Sequence, residues 1–145
     1  MASRDQNEAE IREIIAHWID ALRARDLDRM MTSYENWVIA FDPMLPLQHA
    51  GIDAYRRVWR DWLDAHTGPI DHEVHDLAIC AGDAVAFTHG LVHLAAARPG
   101  RARDDSWLRW TAGWKKVNGA WLVAHEHVSV PFDRETSRAV VDARP

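Results

Sequence analysis

The fold class of this chain is decided by residues 106–130, SWLRWTAGWKKVNGAWLVAHEHVSV. Apolar and polar residues alternate on both sides of Asn118-Gly119, as they do in strands that present two different faces. An Asn-Gly pair is typical of a type I′ turn, because both central residues of that turn need a positive φ. The stretch therefore predicts two antiparallel strands, 106–117 and 120–130, joined as a hairpin.

Upstream of this hairpin, the sequence changes from a helical to a strand-like period near Gly68-Pro69. Apolar residues between 8 and 24 recur at the spacing of one helix face, and Asp26 is a suitable N-cap for a second, shorter helix. A third helix begins at Gly51-Ile52. The predicted strands are 37–41, 71–80, 84–96, 106–117 and 120–130. Helices followed by meandering strands predict an α+β fold, in which one curved antiparallel sheet wraps around the N-terminal helices.

The composition limits the classes of function. The 145 residues are 48% hydrophobic and carry a formal net charge of −5, so the basic surface that nucleic acids require is absent. No apolar run approaches the ~18 residues of a membrane-spanning helix, and the first residues lack the apolar core of a signal peptide. Cys80 is the only cysteine, which excludes an internal disulfide. We therefore expect a cytoplasmic protein without nucleic acid or membrane partners. No Gly-rich phosphate loop is present, so no cofactor is predicted.

Four segments carry a family resemblance: ALRARDLD at 21–28, YENWVIAFDP at 34–43, GIDAYR at 51–56 and NGAWLVAHEHVS at 118–129. Together they resemble the nuclear-transport-factor-2-like superfamily, and within it the SnoaL-like branch of polyketide-cyclase-like and ketosteroid-isomerase-like domains. The resemblance covers roughly residues 8–132. It implies a cone-shaped α+β barrel and one domain, 1–145, with a polar tail at 133–145. The fold hosts isomerases, cyclases, dehydratases and non-catalytic binders, so it does not decide function.

The resemblance also implies roles for particular residues. The general-base aspartate of the isomerases falls on Asp42, directly before Pro43. Their oxyanion-donating tyrosine falls on Trp18, and their second donor, a protonated aspartate, falls near Thr111. The chain thus resembles the isomerases in one of these three positions, which favours proton transfer with different donors over steroid isomerisation.

The strand period adds further candidates. His125 and His127 lie two positions apart and share a strand face, and imidazoles suit general acid–base work near neutral pH. Trp107, Arg109 and Thr111 share a face of the preceding strand. We expect these faces to line the cavity. The two histidines could instead be structural groups, and Arg109 could bind a substrate carboxylate or enolate, or form a structural ion pair.

His89 on strand 84–96, Trp18 on the first helix and Trp59 on the third helix complete the expected lining. His125 and His127 could also hold a metal with His89 or Asp42, but the further Glu and His of such sites are missing, so no metal is predicted. His49, His66 and His72 are expected to be solvated, and His93 is expected to lie near the rim of the cavity. Cys80 is expected to be a small buried hydrophobe.

Three classes of function remain open. The first is a cofactor-independent isomerase, cyclase or dehydratase that acts on a hydrophobic carbonyl or polyketide-like compound, with Asp42 or His127 as base. The second is a binding module that holds a small hydrophobic molecule without turnover, and the third is a dimerisation module. Trp110 and Trp114 occupy the opposite face of their strand, and we expect this outer face to form a homodimer.

Overall fold

The computed structural model describes residues 1–145 and contains three helices: α1 (Arg4–Arg23), α2 (Leu27–Met31) and α3 (Ile52–Ala65). Ser3 caps α1 in a capping box with Gln6, which satisfies two backbone donors that the first turn leaves free. The Asp26 side chain accepts from the Arg29 N–H at 3.1 Å, so its predicted role as N-cap of α2 is confirmed. None of the three helices is long and apolar enough to cross a membrane.

Six strands form one curved, open sheet in the order β2-β1-β6-β5-β4-β3. Their bounds are β1 (Tyr34–Phe41), β2 (His49–Ala50), β3 (Thr67–Ala81), β4 (Val85–Ala97), β5 (Asp104–Val117) and β6 (Ala120–Ser129). The predicted α+β class and the predicted meander from β3 to β6 are confirmed. The tail adds a small second sheet, β7 (Phe132–Asp133) with β8 (Arg138–Ala139), and the Trp107 N–H donates to the Val141 carbonyl at 2.8 Å.

The prediction of a wholly antiparallel sheet is wrong at one place. β1 pairs with β6 in parallel, whereas β3, β4, β5 and β6 pair antiparallel in sequence order. Consecutive strands joined by tight turns must be antiparallel, but β1 and β6 lie far apart in the sequence and no turn fixes their relative direction. The parallel pair carries the end of β1 to the middle of β6, where Phe41 lies opposite His127.

The hydrophobic core fills the space between the helices and the concave face of the sheet. α1 packs across β3, and the fully buried side chains include Ile11 and Leu22 from α1, Met30 from α2 and Val38 from β1. Trp114 and Trp121 join this core from β5 and β6. The core leaves part of the space between the helices and the sheet unfilled.

Gly90 is a point of close approach between strands, and we predict that a methyl group there is costly. An added Cβ would lie 2.8 Å from Val74 Cγ1 and 3.2 Å from the His75 carbonyl oxygen, next to an irregularity in β3. Gly90→Ala should therefore lower the free energy of unfolding by about 1–3 kcal/mol, measured by urea denaturation. Gly113→Ala is the matched control, because its Cβ would meet only His125 Cβ, at 3.8 Å. Equal effects of the two substitutions would contradict the prediction.

Candidate functional site

A cavity of about 890 Å³ opens between the helices and the concave face of the sheet. Its wall is mainly aliphatic and aromatic, with five tryptophans and a smaller number of polar groups, which is the usual composition of a small-molecule site. The aromatic and apolar lining includes Ile14, Trp18, Trp59, Trp62, Val74, Val92, Leu94, Leu108, Trp110 and Val128. The polar groups that matter most for chemistry are Asp42, His49, His72 and Glu126.

Glu126 is the most enclosed carboxyl group of the cavity, with 7% of its surface exposed. Three side chains donate hydrogen bonds to it. The Tyr55 hydroxyl donates to Oε2, the Tyr34 hydroxyl donates to the same oxygen at 3.3 Å, and Trp110 Nε1 donates to Oε1 at 2.9 Å. These donors come from α3, β1 and β5, so the carboxyl group joins three elements of the fold to β6.

Burial raises the pKa of Glu126 above its ordinary value, while the hydrogen bonds from Tyr55, Trp110 and Tyr34 oppose the rise and the charge of Asp42 adds to it. Burial also raises the pKa values of Tyr34 and Tyr55 well above the usual range, and the neighbouring Glu126 charge acts in the same direction. Both tyrosines therefore keep their protons at any physiological pH and remain hydrogen-bond donors.

Asp42 directly follows β1 and lines the same cavity. Burial raises the pKa of this carboxyl group, and the Met44 N–H and the nearby His49 oppose the rise. Its one hydrogen bond within the protein is from the Met44 N–H to Oδ2, at 3.3 Å. Unlike Glu126, Asp42 therefore has acceptor positions that a ligand can use.

Several buried nitrogen atoms of the cavity wall lack a hydrogen-bond partner: Trp18 Nε1, Trp59 Nε1, His49 Nε2 and His72 Nδ1. His66 is satisfied by contrast, because Nδ1 lies 2.7 Å from the Trp62 carbonyl oxygen and Nε2 lies 2.8 Å from Asp104 Oδ2. His66 thus links the end of α3 to the start of β5 and holds the cavity wall together. The unpartnered nitrogens are themselves buried, with Trp18 beside Tyr34 and Trp59 beside Tyr55.

The structure brings together three of the nine predicted site residues, Trp18, Asp42 and Trp59, which all line the cavity. His125 and His127 do not line it: they lie on the outer face of the sheet, where both rings contact Phe41. The cause is a bulge in β6, where Gly113 pairs with His125 but Trp114 pairs with Val123. Ala124 is the extra residue, and it reverses the alternation so that Trp121 and Val123 face inward together with Glu126.

The other four predicted residues also lie outside the cavity. His89, Arg109 and Thr111 are exposed on the outer face, and Trp107 stacks there on His93 at 4.9 Å between ring centroids. The predicted grouping of these residues on shared faces is correct, but the choice of face was wrong. Nothing in the alternation itself tells which side of a strand meets the helices.

The assignment of Trp110 and Trp114 to the outer face of the sheet is wrong for the same reason. They face inward, where Trp110 binds Glu126 and Trp114 Nε1 donates to Thr88 Oγ1 at 3.0 Å. They therefore provide no outer apolar surface for a dimer. His66 and His72 are buried and His49 is half-buried, so the expectation that they are solvated is wrong. Cys80, predicted to be buried, is exposed and free.

Sequence reasoning missed Glu126, Tyr34, Tyr55 and His72. One signal was available for Glu126: the strand that contains it is otherwise apolar on its inner side, and a carboxyl group there needs several donors. Tyr34 and Tyr55 carried such donors but lie 92 and 71 positions away from it in the chain. No group of three or more His, Cys, Asp or Glu side chains has a metal-binding arrangement.

The family model of the SnoaL-like domain matches residues 11–133. The chain belongs to the SnoaL-like family. This confirms the resemblance seen in the sequence. No protein of curated function matches the chain.

Solved structures agree with this SnoaL-like assignment. An NTF2-like protein of unknown function from Pseudomonas putida KT2440 is 33% identical, with a TM-score of 0.89 over 99% of this chain and 100% of that chain. A provisionally named dehydratase of the NTF2-like family from Streptomyces avermitilis is 11% identical (TM-score 0.77; 88% and 97% covered). A ketosteroid isomerase-like protein from Erwinia carotovora atroseptica SCRI1043 is 14% identical (TM-score 0.73; 86% and 95% covered). The last two share the fold alone.

His72 should make the stability of this SnoaL-like protein depend on pH. Burial, with a smaller effect of the Arg23 charge, lowers the pKa of His72 from 6.5 to about 4. Between these two values the unfolded chain takes up a proton and the folded chain does not, so stability falls as the pH falls. At 1.36 kcal/mol per unit, the loss from pH 7 to pH 4 is roughly 3 kcal/mol.

His72→Phe should remove this loss, which urea denaturation at a series of pH values measures. His75→Phe is the matched control, because His75 lies on the same strand with its ring exposed on the outer face. The control should keep the pH dependence of the wild type. If the free energy of unfolding of His72→Phe falls with pH as steeply as that of the wild type, His72 is not the cause of the pH dependence.

Proposed function

We propose that this SnoaL-like protein is an acid–base enzyme that removes a proton next to the carbonyl group of a small hydrophobic, polyketide-like substrate. One observation carries the proposal: two carboxyl groups, Asp42 and Glu126, line one aromatic cavity, and burial raises the pKa of both. Their hydrogen bonding differs, because Glu126 has three side-chain donors and Asp42 has one backbone donor. Two carboxyl groups in unlike environments suit two different roles.

Asp42 is the base in this proposal. Its free acceptor positions can reach a substrate hydrogen, and a raised pKa makes the carboxylate a stronger base than an exposed aspartate. The loop after β1 adds apolar surface beside it, since Met44, Leu45 and Pro46 also line the cavity. The apolar wall therefore surrounds a hydrophobic ketone, while the acidic C–H bond of the ketone lies next to the Asp42 carboxylate.

Glu126 and Tyr55 stabilise the negative charge that develops on the substrate oxygen. The raised pKa of Glu126 favours its protonated form, whose hydroxyl donates to the Tyr55 oxygen, so that the Tyr55 proton is released from Glu126 and points at the substrate oxygen. Tyr34 and Trp110 keep their hydrogen bonds to the Glu126 carboxyl group. Donors fixed in an apolar cavity need no reorganisation when the charge appears. This group replaces the outward-facing His125, His127 and Thr111 in the role of proton donor.

The step balances without a cofactor. The C–H bond next to the carbonyl breaks, its proton passes to Asp42, and its electron pair forms the enol double bond as the carbonyl π electrons move to oxygen. That oxygen takes a hydrogen bond or a proton from the Glu126–Tyr55 group. Return of the proton from Asp42 to another carbon isomerises the substrate, and transfer of that proton to a departing β-hydroxyl group releases water and completes a dehydration. In both cases the carbonyl re-forms, and any proton taken by its oxygen returns to the Glu126–Tyr55 group. The names of two structural relatives, a ketosteroid isomerase-like protein and a provisional dehydratase, fit these outcomes.

The test follows deuterium exchange at the methyl group of 2-acetylnaphthalene and at the α-carbons of 2-tetralone, in D₂O by NMR. The wild type should accelerate exchange with saturation. Asp42→Asn should lower the rate about 10²–10⁴-fold, the usual contribution of a positioned base. Its thermal unfolding should be unchanged, because the substitution touches only the 3.3 Å contact with Met44.

Asp64→Asn is the matched control, since Asp64 is exposed on α3 and should leave the exchange rate unchanged. Binding of either ketone without any exchange would favour a non-catalytic binding module. No acceleration with either ketone would contradict the enzymatic proposal.

We also propose a homodimer, formed through the outer face of the sheet but by residues other than those predicted. Trp37 is 81% exposed and Phe87 is 52% exposed on this side, and Phe41, on the same strand as Trp37, lies beside His127 of β6. Lys115 forms an ion pair with Glu35 on this side, at 3.9 Å. A face with several exposed aromatic side chains suits a second copy of itself.

Sedimentation at micromolar concentration should give a dimer for the wild type and a monomer for Phe87→Glu, because two buried glutamates would lack partners in a two-fold interface. Met44→Glu is the control: Met44 is also exposed but lies beside the cavity, so this variant should stay dimeric. A monomeric wild type would contradict the proposal.

A cytoplasmic location remains a prediction. The single cysteine, Cys80, is exposed and free, so the fold is stabilised without any disulfide that an oxidising compartment would have to supply. Fractionation of the native host tests the location, and recovery of the protein outside the cytoplasmic fraction would contradict it.

A further inference from the structure

His125 and His127 form a pair of neighbouring imidazoles on the outer face of β6, and the acid–base mechanism does not use them. They lie two positions apart on the strand, so both side chains leave the same face of the sheet. Their ring centroids are 6.5 Å apart, and the Phe41 ring meets both edge-on, at 4.7 Å and 5.3 Å between centroids. The three rings therefore form one group, where the end of β1 lies beside β6.

The hydrogen bond of His125 determines which of its ring nitrogens is available to a ligand. Nδ1 lies 2.7 Å from the Ile39 carbonyl oxygen, which can only accept, so Nδ1 carries the proton. In the neutral ring, Nε2 then has a free lone pair. A main-chain carbonyl that accepts from one imidazole nitrogen and thereby directs the other is common among metal-ligating histidines. His127 is exposed, so its ring can turn to place a second nitrogen beside Nε2 of His125.

The other histidines of the outer face do not share this arrangement. Nε2 of His75 and Nε2 of His93 each lie next to a carboxylate oxygen, at 3.0 Å and 2.7 Å respectively, so these nitrogens already have partners. His89 is exposed, but Thr111 of the intervening strand separates it from His127. The pair on β6 is therefore the place on this face where two imidazoles are neighbours with a lone pair free.

The donor set of the pair indicates which kind of ligand it fits. Imidazole nitrogens suit borderline divalent metal ions such as Zn²⁺, which takes four ligands in a tetrahedron when the site is closed. One chain supplies two of these ligands, and no group of three or more His, Cys, Asp or Glu side chains within the chain has a metal-binding arrangement. A closed site is therefore incomplete in a single chain.

The position of the pair within the outer face allows a second copy of the chain to supply the missing ligands. In the sheet order β1-β6-β5-β4, β6 lies between the strand that carries the exposed Trp37 and Phe41 and the strand that carries the exposed Phe87. The pair is thus inside the aromatic face of the proposed homodimer. A two-fold interface brings the same residues of two copies together, so a pair near the axis meets its own counterpart.

We propose that His125 and His127 of two copies bind one Zn²⁺ ion, or another borderline divalent metal ion, and that this ion joins the homodimer. The site is structural, because four protein imidazoles leave no ligand position for water or substrate. The second pair of ligands rests on the proposed homodimer. Neither pair involves Asp42 or Glu126, which line the cavity on the other side of the sheet.

The experiment titrates the untagged, metal-free protein with Zn²⁺ by calorimetry and measures sedimentation in EDTA and in Zn²⁺. The wild type should bind one Zn²⁺ ion per two chains. The dimer should persist at protein concentrations at least about tenfold lower in Zn²⁺ than in EDTA, because an ion that binds only the dimer stabilises it by mass action. Mg²⁺ should have neither effect, since it prefers oxygen ligands.

Three variants assign the effect to the pair. His127→Ala should weaken zinc binding by at least about tenfold, since even the groups that only orient a metal ligand contribute about 10–100-fold. It should also remove the effect of zinc on dimerisation, and its fold should be unchanged because His127 is exposed. His125→Ala should behave in the same way. His89→Ala is the matched control, because His89 is another exposed histidine of this face and should be dispensable for zinc binding.

The possible outcomes separate this proposal from the others. A dimer that forms equally in EDTA and in Zn²⁺, without bound zinc, would overturn the metal site and leave the homodimer in place. A monomer in EDTA that becomes a dimer in Zn²⁺ would support the metal site and contradict a homodimer held by aromatic contacts alone. One zinc ion per chain, or tight zinc binding that survives in His127→Ala, would overturn the proposal. Asp42→Asn should bind zinc as the wild type does, whatever its effect on deuterium exchange.

Discussion

The hydrogen bonds to the Glu126 carboxyl group are the interaction on which the cavity depends. A carboxyl group this deeply buried is costly unless several donors surround it, and removing one hydrogen-bond partner of a buried polar group typically costs about 1–3 kcal/mol. Here Tyr34, Tyr55 and Trp110 supply the donors from three separate elements. The network ties α3 to β1, β5 and β6, in addition to the apolar contacts that α3 makes with the core through residues such as Leu63. The cavity lies between the elements that this network connects.

The helices and strands of this fold follow from local features of the sequence. The apolar stripe of α1, the cap at Asp26 and the Asn118-Gly119 turn are each contained within a few residues, so their period and turn chemistry predict the elements. The parallel pairing of β1 with β6 is different. It depends on which edge of the sheet is free after the meander has formed, and no residue near β1 encodes that choice.

The residues of the candidate site also differ in whether the sequence near them predicts their position. Trp18 and Trp59 were predicted because a helix stripe has only one apolar side, and Asp42 because the family resemblance places the isomerase base there, directly before Pro43. The strand residues could not be predicted, because both faces of β5 and β6 carry aromatic or titratable side chains. Trp107 and Trp110 are equally plausible as inner residues, and one extra residue at Ala124 decides between His125 and Glu126. Tyr34 and Tyr55 meet Glu126 only in three dimensions.

The bulge at Ala124 also decides whether the cavity is acidic or basic. If β6 kept its regular alternation through Ala124, His125 would face the cavity in place of Glu126. Loss of Ala124 itself would not have this effect, because Val123 and His125 would then become neighbours on the strand and Glu126 would still face inward. The extra residue is therefore tolerated only as a bulge, and a change that forces Ala124 into the regular ladder would replace a carboxyl group by an imidazole while the rest of the sheet keeps its path.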